Sequence, residues 1–321
     1  MKQFLKYTLA SITGTFLTFL LFFLILAAFI GGAISSAFSG LDKSNQITNV
    51  KDNTVLHIEL DKPIVDRGPD EHINIDFGPF QSQSALGLNQ ILDNIDKAKK
   101  DDKITGIFLD MSFVQAGFGT TEEIRNALID FKESGKWIIS YSEIYSQKAY
   151  YLASVSDEIY VYPEGIVDFR GLRTTLAFLK GTMDKLEIEP QIIRGSNNKF
   201  KSAVEPFIMD EMSQANRMQT EEWLGSMWDH MVEKIAEARN MSSEELVGIA
   251  DNYEVQTAEG GVAVGMATGI KYYDEVIDIL KFKTETDEDD DINSVSMTKY
   301  LNAPSSSSDK STPFYKKDAI A

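Results

Sequence analysis

The chain contains no cysteine in 321 residues, which removes a disulfide framework, a thiolate zinc centre and a thiol nucleophile together. The absence leaves the compartment open, because a cysteine-free chain suits oxidising and reducing surroundings alike. Histidine is scarce, with three copies. His57 falls within a strand-like run, His72 in a loop with Gly68 and Pro69, and His230 on an apolar-striped helix, so a Ser-His-Asp triad has little support. Basic residues number 31 against 49 acidic ones, and the net charge of −18 repels a phosphate backbone and excludes nucleic acid as a partner. Two ion-binding patterns are missing as well. Gly260-Gly261-Val262-Ala263-Val264-Gly265-Met266 lacks the Gly-Lys-Ser/Thr ending of a phosphate loop, so close backbone packing explains it better. The acidic run at 285–291 lacks the spaced ligands, central glycine and terminal glutamate of a calcium loop and reads as solvated charge.

What the sequence does have begins with a long apolar run. Lys2 and Lys6 precede an uncharged stretch over 7–38, with Phe16-Leu17-Thr18-Phe19-Leu20-Leu21-Phe22-Phe23-Leu24-Ile25-Leu26 at its centre. A bilayer needs about 20 apolar residues and this run exceeds that, while the basic flank argues for a cytoplasmic N-terminus. A cleaved signal peptide is the rival, supplied with small residues by Gly31-Gly32-Ala33-Ile34-Ser35-Ser36-Ala37, but signal cores span about 7–15 residues. A retained single-pass anchor over 1–38 is therefore expected. In a bacterium this means the inner membrane, with the globular part in the periplasm after a tether over 39–53.

From residue 54 the pattern turns α/β. Val55-Leu56-His57-Ile58-Glu59-Leu60, Ile104-Thr105-Gly106-Ile107-Phe108-Leu109-Asp110, Trp137-Ile138-Ile139-Ser140-Tyr141 and Ile159-Tyr160-Val161-Tyr162 read as strands, with Gln191-Ile192-Ile193 a weaker fifth. Leu88, Ile91, Leu92 and Ile95 share one helical face, as do Ile124, Leu128 and Phe131. Helices alternating with strands imply a parallel sheet with helical crossovers. Ser213 is placed to cap a long helix whose stripe of Leu224, Met227, Trp228, Met231 and Ile235 reads as core or subunit contact, and Ser242-Ser243-Glu244-Glu245 has capping-box spacing. At 321 residues and 43% hydrophobic, the chain has enough apolar material for one large domain. The domain is expected over 54–283, followed by an acidic and serine-rich linker over 284–314.

One stretch sets two lysines and a glutamate in an apolar run: Lys199-Phe200-Lys201-Ser202-Ala203-Val204-Glu205-Pro206-Phe207. A lysine held among apolar neighbours loses hydration of its ammonium form, and its free amine becomes a general base. On local sequence alone, Lys201 and Glu205 read more simply as an exposed pair at the start of a helix.

Three strings together carry a resemblance. Tyr145-Ser146-Gln147-Lys148-Ala149-Tyr150-Tyr151-Leu152-Ala153-Ser154, then Pro163-Glu164-Gly165-Ile166-Val167-Asp168, then Lys201 to Phe207, resemble the N-terminal half of the long form of the signal peptide peptidase A (protease IV) family. The resemblance implies a membrane-anchored serine endopeptidase with the spiral α/β fold of Clp protease and crotonase. Such an enzyme needs no cofactor or metal and cuts signal peptides and other hydrophobic peptides. It also implies a homo-oligomer, with the helix bearing Trp223 and Trp228 contributing to contacts. In the long form the first repeat supplies a lysine base and the second a serine nucleophile, a Ser-Lys dyad. That makes Lys201 the base and places Gln147 where a serine would fall; an amide is no nucleophile. Ser202 adjoins Lys201, but neighbouring side chains diverge, and Ser146 is one place off. The serine is therefore expected on a second repeat, whose opening is read at 315–321 from the likeness of Lys317-Asp318-Ala319-Ile320-Ala321 to Lys51-Asp52-Asn53-Thr54-Val55. Gly117 and Gly119 read first as a turn and helix cap, and through the resemblance as a vestigial oxyanion segment. Two alternatives stay open: a catalytically inactive protease-like scaffold, and acyl-CoA chemistry of the crotonase kind, against which the anchor argues.

Overall fold

The computed structural model describes residues 2–44, 49–68 and 85–304; His72, the serine run at 305–308 and the stretch 315–321 lie outside the described residues. Helix α1 (Lys2–Ser44) opens the chain, and its segment Lys2–Phe29 is long and apolar enough to cross a membrane. Thr8, Thr13 and Thr18 each donate a hydroxyl to the carbonyl four residues earlier at 2.9 Å, which hides polar atoms an apolar surrounding would penalise.

The globular part alternates strands and helices. Its first half runs β1 (Thr54–Ile58), β2 (Ile64–Val65), β3 (Leu86–Gly87), α2 (Leu88–Lys100), β4 (Ile104–Asp110), α3 (Phe118–Lys132), β5 (Trp137–Tyr145), α4 (Gln147–Ala153) and β6 (Glu158–Val167). The second half runs α5 (Lys180–Lys185), α6 (Glu205–Ile208), α7 (Gln214–Arg239), α8 (Ser243–Asn252), α9 (Ala258–Ala263), β7 (Gly269–Ile270), α10 (Tyr273–Lys283), β8 (Ser294–Ser296) and α11 (Met297–Leu301). Six strands form one sheet in the order β7-β6-β5-β4-β1-β8, with every neighbouring pair parallel, while β2 and β3 pair separately. This is the α/β class with helical crossovers that the alternating pattern calls for.

The strands are apolar nearly throughout because both faces are covered. Leu56, Ile58, Ile107 and Leu109 belong to the core shared with α2, α3 and α4, whereas Val55, Phe108, Ile139 and Tyr141 pack with Val276 and Leu280 of α10. Gly106 is required by close approach: a Cβ there would lie 2.2 Å from the Trp137 ring. Gly260 in α9 is likewise pinned, since a Cβ there would lie 2.2 Å from the Glu254 carbonyl oxygen, whereas a Cβ at Gly265 would meet nothing within 4 Å and that glycine instead serves a φ of +77°. Arg125 of α3 is buried at 2% exposure, donates to the carbonyls of Tyr151 (3.3 Å) and Lys234 (2.7 Å), and lies over the Tyr151 ring, tying α3 to α4 and α7.

The C-terminal part of the α7 stripe is core material: Met231 and Ile235 are buried and Trp228 packs on Phe169 with ring centres 5.1 Å apart, while Leu224 and Met227 are half-buried. Ser213 caps α7 and Ser242 caps α8, each accepting a backbone N–H at 3.1 Å. Two expectations need correction. Gln191-Ile192-Ile193 forms no strand; it lies in an extended, poorly covered arm, with Ile193 fully exposed at 100%. The stretch after the acidic run is not all exposed connector. Residues 285–291 are largely exposed, but β8 pairs with β1 and α11 seals the sheet edge, with Tyr300 fully buried, its hydroxyl donating to Asp101 at 2.9 Å. A three-residue strand is too short to announce itself by periodicity.

Candidate active site

β5 runs directly into α4, so Ser146 and Gln147 sit at a strand-to-helix junction, where side chains are held at the C-terminal end of a parallel sheet. Ser146 is a structural cap: its Oγ accepts from Ala149 N–H at 3.4 Å and its own N–H donates to the Ser112 carbonyl at 3.1 Å. Gln147, the first residue of α4, reaches across to the segment after β6. Its Oε1 accepts from the N–H groups of Arg170 (3.1 Å) and Gly171 (3.2 Å), while Nε2 donates to the Gly171 carbonyl at 3.2 Å. Gly171 has a φ of +91°, a backbone shape that favours glycine. Beside this junction lies a cavity of about 400 Å³ lined by Gln147, Asp168, Arg170, Gly171, Leu172, Arg173 and Tyr253. Arg170 is clamped there by an ion pair with Asp168 and a 3.0 Å hydrogen bond to the Tyr253 hydroxyl.

The next residue, Lys148, donates to the Ala116 carbonyl at 2.6 Å, and burial lowers its pKa. It fastens α4 to the loop leading into α3. That loop contains Gly117, whose carbonyl accepts both the N–H and the hydroxyl of Thr121 (3.0 and 2.9 Å) as the N-cap of α3. An added Cβ at Gly117 or Gly119 would meet nothing within 4 Å, and the local geometry is that of a turn and helix cap.

Lys201 lies elsewhere, in the arm between β6 and α7. Its side chain is exposed and its backbone N–H donates to the Asn198 carbonyl at 3.0 Å; it is not among the residues lining the cavity. The exposed Lys201–Glu205 pair expected from spacing does not form. Glu205 is buried at 5% exposure and accepts from Ser213 Oγ (2.6 Å), Ser213 N–H (3.2 Å) and Asn216 Nδ2 (2.9 Å). Burial raises its pKa, and the hydrogen bonds from Ser213 and Asn216 outweigh that, leaving it below the ordinary carboxylate value. Glu205 thus anchors the arm to α7 and leaves Lys201 facing outward. Around it the arm exposes Leu179 (43%), Phe200 (45%) and Phe207 (37%), an apolar surface uncovered in this chain.

The structure therefore joins Gln147 to the 168–171 segment, which spacing alone does not reveal. Asp168 and Arg170, two residues apart on an extended segment, are the nearest thing to a sequence signal for it. His57 and His230 stand apart from this junction: His57 is on β1 and His230 lies 3.3 Å from Glu122.

A family model described as peptidase family S49 matches residues 130–287, the span containing both the Gln147 junction and Lys201. The chain is 38% identical over 160 residues to Protease 4 of Haemophilus influenzae, covering 50% of this chain and 26% of that protein. Protease 4 of Salmonella typhi matches with the same identity, length and coverage. A chloroplastic serine protease SPPA of Arabidopsis thaliana is 30% identical over 219 residues, covering 68% of this chain and 32% of that protein. The chain thus spans about a quarter to a third of the length of these relatives.

Proposed function

The chain belongs to peptidase family S49, the signal peptide peptidase A family, and from that premise we propose that it supplies the general-base lysine, Lys201, to a membrane-anchored serine endopeptidase acting on signal peptides and other hydrophobic peptides. The observation carrying this reading is that the family match spans both the β5–α4 junction and the Lys201 string. At that junction Gln147 stands where a nucleophile would be wanted, and its amide is spent on three backbone hydrogen bonds. The serine is accordingly assigned to a second repeat. Its Oγ attacks the peptide carbonyl carbon and its proton passes to Lys201 Nζ. Lys201 then protonates the departing amine, and water, deprotonated in turn by Lys201, releases the acyl group.

This chemistry needs the lysine amine in its neutral form. The apolar arm around Lys201 points to how neutrality is reached: a second repeat or another copy packs over Leu179, Phe200 and Phe207 and desolvates the amine. In this reading α1 is a single-pass anchor with the globular part in the periplasm, and assembly and base activation are one event.

Lys201→Ala or Lys201→Met in the complete enzyme should abolish peptide cleavage with folding intact, and Lys201→Arg should be nearly as damaging because guanidinium does not give up its proton. Activity within a few-fold of wild type would remove Lys201 from the mechanism. A catalytically inactive scaffold is the second reading, favoured by the structural use of Gln147; it predicts that the complete assembly is indifferent to Lys201.

A further inference from the structure

We propose that His57, Glu59 and Asp110 form a binding site for a divalent cation of the zinc class at the C-terminal edge of β1 and β4. The strand period places all three on one face. His57 pairs in register with Phe108, and Ile58 with Leu109, so Glu59 and Asp110 each follow two residues beyond a side chain facing α10. This face is opposite to the one covered by α2, α3 and α4, and the site uses no residue of the Gln147 junction.

The ligand atoms of the three lie within 4.8 Å of one another, and His57 Nε2 is 3.5 Å from Asp110 Oδ2. Ligands on one tetrahedral zinc, bonded at about 2.0–2.2 Å, stand about 3.4 Å apart, so the histidine and aspartate already have the separation a shared ion demands. Glu59 is exposed, and since its ligand oxygen lies within 4.8 Å of the others, a shift of at most about 1.4 Å brings its carboxylate into that sphere. A direct His57–Asp110 hydrogen bond would be the ordinary alternative, but 3.5 Å is long for one. His57 Nε2 is buried with no hydrogen-bond partner, an arrangement that costs free energy unless something else satisfies the nitrogen. The ring is held in place by stacking on Phe108, with centres 5.1 Å apart. Imidazole with two carboxylates is a ligand set suited to zinc or cobalt rather than calcium, which takes oxygen alone.

The test uses the full chain in detergent after chelator treatment, titrated with Co²⁺ by absorbance and with Zn²⁺ by calorimetry. One saturable equivalent is expected, with affinity at least about tenfold weaker in His57→Ala, Asp110→Asn and Glu59→Gln. Zn²⁺ should raise the melting temperature of the wild type more than that of each variant. Glu59 is exposed, so its variant decides the matter should either of the others fail to fold. Absence of saturable binding, unchanged affinity in Glu59→Gln, or loss of binding on replacing Asp289, Asp290 and Asp291 by asparagine would each overturn the assignment.

Discussion

Gln147 and Gly171 bond to each other in both directions: the side-chain oxygen accepts the glycine N–H at 3.2 Å, and the side-chain nitrogen donates to the glycine carbonyl at 3.2 Å. With the further bond from Arg170 N–H, one amide satisfies three backbone groups of a segment that has no strand partner of its own. Gln147→Ala should cost about 1.5–4.5 kcal/mol, since three hydrogen bonds are lost and each contributes about 0.5–1.5 kcal/mol net. Urea unfolding of the chain checks this. A fluorophosphonate probe should leave this chain unlabelled; labelling would place a reactive serine within it.

Glu205 gives the arm a pH dependence. Its folded pKa lies below the ordinary 4.5, so its contribution to stability is present above that value and is lost as pH falls through the lower folded one. Thermal melts between pH 6 and pH 3 should therefore decline more steeply for the wild type than for Glu205→Gln. Parallel curves would show that Ser213 and Asn216 do not favour the ionised form.

Arg125 offers a sharper stability test. Its guanidinium is buried and joins α3 to the Tyr151 and Lys234 carbonyls, so Arg125→Ala leaves a cavity and two unpaired carbonyls. A loss of about 3–5 kcal/mol is expected in denaturant midpoints, and Arg125→Lys should recover little of it because one ammonium cannot span both acceptors with the same fork.

Tyr300 tests whether the chain after the acidic run belongs to the fold. It is fully buried, bonded to Asp101, with the Lys97 ammonium 4.3 Å from its ring centre. Tyr300→Ala should destabilise the domain by about 3–5 kcal/mol. A change under about 0.5 kcal/mol, the scale of surface substitutions, would mean that β8 and α11 are dispensable.

How far the sequence speaks depends on the range over which each feature is decided. β4 is legible to the residue, because Ile104-Thr105-Gly106-Ile107-Phe108-Leu109-Asp110 reads as one strand-forming run and nothing distant alters that. β6 runs on to Val167 through Pro163 and Gly165, residues that read as a break; a register irregularity opposite Ser142 and Ile144 accommodates them. β7 and β8, two and three residues long, exist only because neighbouring strands offer open ladders. Gln191-Ile192-Ile193 has the apolar character of a strand without a partner to pair with. At the candidate site, the junction at Gln147 follows from the strand and helix patterns. Its bonds to residues 170 and 171 depend on how β6 ends, which no local window contains. The burial of Glu205 escapes local reading for the same reason: its partners lie 8 and 11 residues onward, beyond helical spacing.

The margins of the large sheet carry a consequence for association. Both end in stubs, β7 on one side and β8 on the other, so an incoming strand that pairs with either edge strand finds two or three ladder positions. Growth of the sheet from chain to chain is thereby a poor route to a complex. Neighbours are left to meet through side chains, which makes any resulting assembly tunable by single apolar substitutions in the arm rather than locked by backbone pairing.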